Sequence, residues 1–305
     1  MPRTLLIGTR DRSWREWLHQ NASGRDLVLL DPLDTSHGPP GRVALIQDGK
    51  VRGWRFFGSL DAQRAPHVIV AALCDFLSRA HRDPVVQLFS YRASAVLRHL
   101  AIVVAQTMRA EEIFVAEGVE LELEGWPVGP ERVQLPSSFP DLVQNAQRKA
   151  RWMELIADCT EQRFLLKGVT IEGARLGSGT PVDQHVLQKA GIESVLHAEV
   201  CGSTLFLVCD GELDEGRIAR ALDVTHCARA TVASPCDYAN LLCSVCHQDG
   251  EDFGMGTVRS IDFKAGAITL LTNAIPPVPA RIVRLGSLRV DESGKELGET
   301  RPWQI

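Results

Sequence analysis

The sequence predicts an α/β domain, a parallel sheet with flanking helices, over residues 1–158, followed by a mainly β domain over 159–305. Three observations carry this. Apolar runs alternate with amphipathic segments of helical period through the first half. Short β-branched runs separated by glycine turns fill the second half. Between them, residues 117–140 are broken by Gly125, Pro127, Gly129, Pro130, Pro136 and Pro140.

In order, Thr4–Ile7 reads as a strand, Gly8–Ser13 as a turn, Trp14–Gln20 as a helix and Asp26–Asp31 as a second strand. Val43–Ile46 and Trp54–Phe57 bracket Asp48-Gly49-Lys50, a hairpin with a glycine turn. Pro66–Ala80 has a helical stripe at Val68, Ala71, Ala72, Phe76 and Leu77. Pro84–Phe89 is a strand, Ala93–Met108 an apolar helix and Glu112–Ala116 a strand. Strands alternating with helices of this length imply a parallel sheet covered on both faces. A helix from Asp141 to about residue 158 follows Pro140. Beyond it, short strands are expected at 169–171, 194–199, 204–208, 230–232, 241–246, 257–263, 267–271 and 280–290.

The 45% hydrophobic and 23% charged content is that of a soluble globular protein, and no apolar run reaches the roughly 18 residues that span a bilayer. A net charge of −5 argues against coating nucleic acid by bulk charge, though not against a local basic patch. With no secretory pattern at the N-terminus, the expectation is a cytoplasmic protein, or a nucleoplasmic one in a nucleated cell, with no membrane contact. The eight cysteines are read as reduced. Cys243 and Cys246 fall in the apolar run Leu241–Cys246, a buried strand rather than a zinc site, and no metal is expected.

The turn after the first strand has the frame of a phosphate-binding loop, G-x-x-x-x-G-K-[ST]. Gly8 keeps the first glycine; Ser13 takes the second, Trp14 the lysine and Arg15 the hydroxyl residue. A helix start offers free N–H groups to an anion, and Arg10, Arg12 and Arg15 add charge. Against this stands an ordinary strand-to-helix turn with solvated arginines. Asp31 and Asp34 are carboxylates that could hold magnesium or accept a hydroxyl proton, or simply shape a strand-end turn. His37 reads as a surface residue. Trp14 and Trp17 share a helix face, where they pack the core or fill the space of a nucleotide's phosphates. Arg148, Lys149 and Arg151 form a basic cluster on a helix, either a solvated face or a phosphate contact.

These residues resemble the P-loop polynucleotide 5′-hydroxyl kinases of RNA processing. The likeness lies in Leu30-Asp31-Pro32 with Gly38-Pro39-Pro40-Gly41, in Phe56–Ser59, and in Leu176–Pro181, Asn240–Leu242, Gly254–Val258 with Ile261–Phe263, and Arg284–Val290 of the second half. The resemblance implies a P-loop-like domain with the family's C-terminal β domain, a polynucleotide substrate, ATP and magnesium. Position by position the nucleotide groups are missing. Of the family's Asp-x-Asp-x-Gly-Gln only Asp31 remains, and its Thr-x-Gly-Trp is Ser90-Tyr91-Arg92-Ala93, with Ser90 alone comparable. Arg148 and Arg151 match an Arg-x-x-Arg pattern at the root of a shortened lid. Losing such groups costs orders of magnitude each.

The leading expectation is therefore a catalytically degenerate homologue, a pseudoenzyme subunit of RNA processing or repair. It binds a protein partner, RNA or DNA, or both, without a cofactor. The alternative is an active ATP- and magnesium-dependent kinase in which Arg15 replaces the lysine and Asp31, Asp34 or Ser90 serves the chemistry. A third is a scaffold with no nucleic-acid role.

Overall fold

The computed structural model describes residues 2–122, 124–189, 191–192, 195–275 and 280–300. It divides into two compact units, Met1–Arg151 and Trp152–Ile305, the division falling within a helix.

In the first unit the elements are β1 (Thr4–Ile7), α1 (Arg15–Asn21), β2 (Leu27–Leu29), β3 (Arg42–Gln47), β4 (Lys50–Phe56), α2 (Pro66–Arg79), β5 (Val85–Gln87), α3 (Ala95–Thr107), β6 (Glu112–Ala116), β7 (Glu131–Val133) and α4 (Asp141–Ala157). They form one seven-stranded sheet in the order β4-β3-β2-β5-β1-β6-β7. The five strands from β2 to β7 run parallel, and β3 and β4 add an antiparallel hairpin at the edge. That hairpin turns at Asp48 and Gly49, both at positive φ, the geometry a two-residue turn demands. All four residues of β1 are buried, so its two faces are both covered, as the unbroken apolar run requires. Against it pack Ile69, Leu73 and Phe76 of α2 and Leu97, Leu100, Ala101 and Val104 of α3, each at helical spacing.

Crossing over one strand, β1 connects to β2 and β5 to β6 in opposite directions along the sheet. Where connections diverge, the loops at the strands' carboxyl ends leave a crevice, the usual ligand end of such a sheet. The loops there begin at Gly8, Leu30, Leu88 and Glu117.

The second unit holds β8 (Thr160–Leu165), β9 (Thr170–Glu172), β10 (Thr180–Pro181), α5 (Gln184–Lys189), β11 (Val195–Cys201), β12 (Thr204–Cys209), α6 (Glu215–Thr225), β13 (Arg229–Ala233), β14 (Leu241–Cys246), β15 (Asp252–Asp262), β16 (Ala267–Thr272), β17 (Ile282–Val290) and β18 (Glu296–Glu299). A larger, mostly antiparallel sheet runs β18-β17-β14-β15-β16-β8, with β9 also on β17. A smaller one runs β10-β11-β12-β13. Alternate residues of β12 serve two cores: Phe206 and Val208 join the one beneath the larger sheet, while Leu205, Leu207 and Cys209 join Leu187 and Ala221 of the helices. Every residue of β14 is buried, including Cys243 and Cys246, and burial pushes the Cys246 thiol up to about 12. Beside it Asp252, also buried, takes both Arg284 Nη1 contacts at 3.0 Å and hydrogen bonds from Ser244 Oγ (2.6 Å) and Cys246 Sγ (3.0 Å). Among the described residues, no helix is long and apolar enough to cross a membrane.

Candidate functional site

Two loops at the carboxyl end of the sheet contain most of the sequence-predicted site residues. The first, Gly8–Trp14, is filled by its own side chain. Trp14 is 5% exposed, and its indole lies so close over Gly8 that a Cβ built there would sit 2.6 Å from Nε1. Only glycine fits beneath the ring. The buried Nε1 has no hydrogen-bond partner among the described residues, an uncommon cost for a buried donor. The ring stacks edge-on to Trp17 at 5.8 Å, and Trp17 packs on Phe114 at 5.2 Å, so core packing and loop filling are served by the same side chain.

Two of the loop's backbone N–H groups are spent as well. The N–H of Arg12 donates to Thr9 O (3.1 Å) and that of Ser13 to Pro136 O (3.1 Å). Ser138 returns two bonds, from its N–H to Asp11 O (2.8 Å) and from its hydroxyl to Arg10 O (2.7 Å). Residues 135–138 thus form a strap stitched to the loop, and Arg12 Nη1 adds a bond to Leu135 O. Of the three arginines, Arg10 turns to Gln144 (3.1 Å), Asn145 (3.3 Å) and Asp141 (3.4 Å) of α4, while Arg15 is exposed.

The second loop, Leu30–Gly41, holds Asp31 and Asp34. Asp31 accepts the N–H of Leu33 on Oδ1 and, on Oδ2, the N–H (3.1 Å) and hydroxyl (2.9 Å) of Ser90. Candidates 59 residues apart meet because β2 and β5 are adjacent parallel strands. Burial, reinforced by the nearby Asp34, outweighs these bonds and raises the Asp31 carboxyl to about 6. Asp34 accepts the N–H of Ser36 at 2.8 Å, and Ser36 Oγ lies 2.7 Å from His37 Nδ1. Arg151 Nε donates to Thr35 O at 2.9 Å, which brings this member of the basic cluster to the loop. Arg148 Nη2 instead donates to Asn145 (2.9 Å), and Lys149 is exposed.

Sequence reasoning missed Arg42. Its Nη2 donates to His37 O, its guanidinium lies 5.6 Å over the Trp54 ring, and it fills the space against Gly38, whose φ is +138°. Burial lowers its pKa to about 10, with Asp34 opposing and Arg151 adding to the fall. A charged side chain opening a β-strand beside a proline-glycine loop was the available signal. A two-residue link joins the loops: Tyr91 N–H donates to Gly8 O at 2.8 Å, next to Ser90 on Asp31.

Fold and site define an α/β chain with a largely parallel sheet, whose first carboxyl-end loop is filled by the Trp14 indole. Sequence comparison identifies the relatives as expected from the resemblance: the chain is similar to polyribonucleotide 5′-hydroxyl-kinases. That of Pyrococcus furiosus is 26% identical over 157 residues, 50% of this chain and 42% of the relative, and that of Thermococcus kodakarensis is 28% identical over 159 residues, again 50% and 42%. The chain thus spans less than half the length of the curated relatives it matches. The fold is that of Clp1p: the wild-type Clp1p–Pcf11p complex gives a TM-score of 0.55 at 12% identity, over 94% of this chain and 74% of that one. No family model matches the chain.

Proposed function

We propose that this chain keeps a polynucleotide-kinase fold without nucleotide chemistry and acts as a subunit of RNA processing or repair, binding a protein partner, nucleic acid or both. The observation that supports this is Trp14, whose buried indole lies over Gly8; we take that space to be the one a nucleotide's outer phosphates would need. The donor set does not fit a nucleotide: the lysine position is an aromatic plug and the Ser13 amide is bonded to Pro136. A protein partner is supported by the Clp1p likeness, since Clp1p is seen bound to Pcf11p. Arg148, Lys149 and Arg151 are the proposed phosphate contacts, each worth a salt-dependence slope of about 1. Calorimetry with ATP and magnesium tests the reading: no saturable heat at sub-millimolar nucleotide is expected. Micromolar binding abolished by Arg15→Ala overturns it.

One observation favours a second reading, an active kinase. Asp31, near 6 and hydrogen-bonded to Ser90, is matched to proton transfer at neutral pH. Transfer of labelled phosphate from ATP to a 5′-hydroxyl RNA, lost in Asp31→Asn, would establish that reading in place of the first.

A further inference from the structure

The outermost strands of the three sheets are defended unequally. An edge strand offers unpaired N–H and C=O groups to any extended chain, and proteins blunt this with charge or proline. β4 carries Lys50, Arg52 and Arg55, β7 carries Glu131 and Arg132, β8 carries Glu161 and Arg163, and β18 carries Glu296 and Glu299. β10 is two residues long and ends in Pro181. β13 has none of these defences over Ala230-Thr231-Val232-Ala233. Its one charge, Arg229, is exposed at the first position of the strand, with Nε donating to Thr204 Oγ1 of β12 at 2.7 Å.

β13 pairs in parallel with β12, and no described strand pairs with its other side. Register places Ala230 and Val232 beside Leu205 and Leu207, on the helix-covered face. There Val232 is 37% exposed, and Val224 of the crossover helix α6 is 36% exposed. Val208 stands opposite Ala233, so the loop after β12 begins at the carboxyl end of β13. That loop carries the exposed acids Asp210 and Glu212.

We infer that the outer edge of β13 docks an extended segment of a partner protein by strand addition. The backbone ladder fixes the occupant as a strand, the exposed valines call for β-branched side chains at alternate positions, and Asp210 with Glu212 call for Lys or Arg at the end lying over them. The inference rests on the reading that this chain works through a protein partner, and names the surface.

The probe is a fluorescein-labelled synthetic peptide of alternating valine and threonine with a lysine pair at one end, titrated into the full chain by anisotropy and followed by hydrogen exchange. Saturable binding is expected, with new protection at the outward-facing amides of Ala230 and Val232, loss of about tenfold or more in affinity for Val232→Lys, and weaker binding when the lysines are replaced by glutamates. Near-unchanged affinity in Val232→Lys, or protection elsewhere, overturns it. So does slow exchange at Ala230 and Val232 in the free chain, whose amides face the outer edge while those of Arg229 and Thr231 face β12, a measurement on unsubstituted protein that holds even if the variant misfolds. A concentration-dependent dimer dispersed by Val232→Lys also overturns it, assigning the edge to a second copy. Nucleotide binding is read in the other unit, so ATP binding with peptide docking intact removes the degenerate reading and leaves this surface standing.

Discussion

The plug over Gly8 predicts a specific energetic coupling. Gly8 does not need glycine's backbone freedom, because its φ is not in the left-handed region. Adding a methyl there is resisted by the indole: the Cβ would sit 2.6 Å from Nε1 and 3.3 Å from Cδ1 of Trp14, the nearer about 1 Å inside ordinary contact. The ring is buried against Trp17 and cannot swing clear without losing its packing. Gly8→Ala should therefore cost about 1–3 kcal/mol, the usual range for overpacking. Trp14→Ala alone should cost about 3–5 kcal/mol. Together they should cost less than the sum, with a coupling of about 1–3 kcal/mol, because the methyl then enters the space the ring has left. Hydrogen exchange at Leu5 and Leu6 of β1 reports the stability of this unit separately from the other. Coupling below about 0.5 kcal/mol would refute the plug, and with it the principal argument against a bound phosphate.

Three further outcomes are expected. Asp31 titrates near 6 when folded and near 3.8 when unfolded, so its contribution is full below the lower value and fades as pH rises through the higher, by about 3 kcal/mol; Asp31→Asn should flatten the dependence of β1 exchange on pH between those values. Asp252→Ala removes the buried carboxylate from Ser244, Cys246 and Arg284, which keeps Glu172 (2.8 Å) and the Gly250 carbonyl, and should lower the stability of the second unit by about 1–3 kcal/mol in urea melts read at its β14 amides. Alkylation followed by mass spectrometry should modify exposed Cys74 and Cys236 quickly, while Cys209, Cys243 and Cys246 react only on unfolding; burial pushes the Cys209 thiol up to about 11 and that of Cys246 to about 12.

Local signals in the sequence carried the elements, and long-range pairings carried the site. The strand–turn–helix–strand opening, the Asp48-Gly49 hairpin and the buried Cys243–Cys246 strand were legible because apolar period and turn chemistry are properties of neighbours. β8 was missed: TEQRFL is an exposed strand whose polar face hides the period. So were the short β7 and β18. The strap at 135–138 was invisible because it meets Arg12 and Ser13 through backbone bonds, which any side chain permits. Asp31 and Ser90 were each singled out, but their contact follows from strand order alone. Arg42 was hidden because its partners are a carbonyl and a ring face, neither of which leaves a charge pattern. The likeness to kinases that the motifs implied is borne out by the relatives; the boundary at residues 158–159 and the individual site residues stand as proposals.

Ser90 and Tyr91 act on two loops at once. One residue grips the carboxylate after β2 and the next grips the carbonyl of Gly8, across strands that stand about 5 Å apart. These two loops leave strands separated by β5, and the pair on β5's own loop fastens both. The ordering entropy of this end of the sheet is therefore met during folding rather than at the arrival of a ligand. Two neighbouring residues thus tie together the loops that follow β1 and β2, so a substitution that shifts the backbone at Ser90 bears on both.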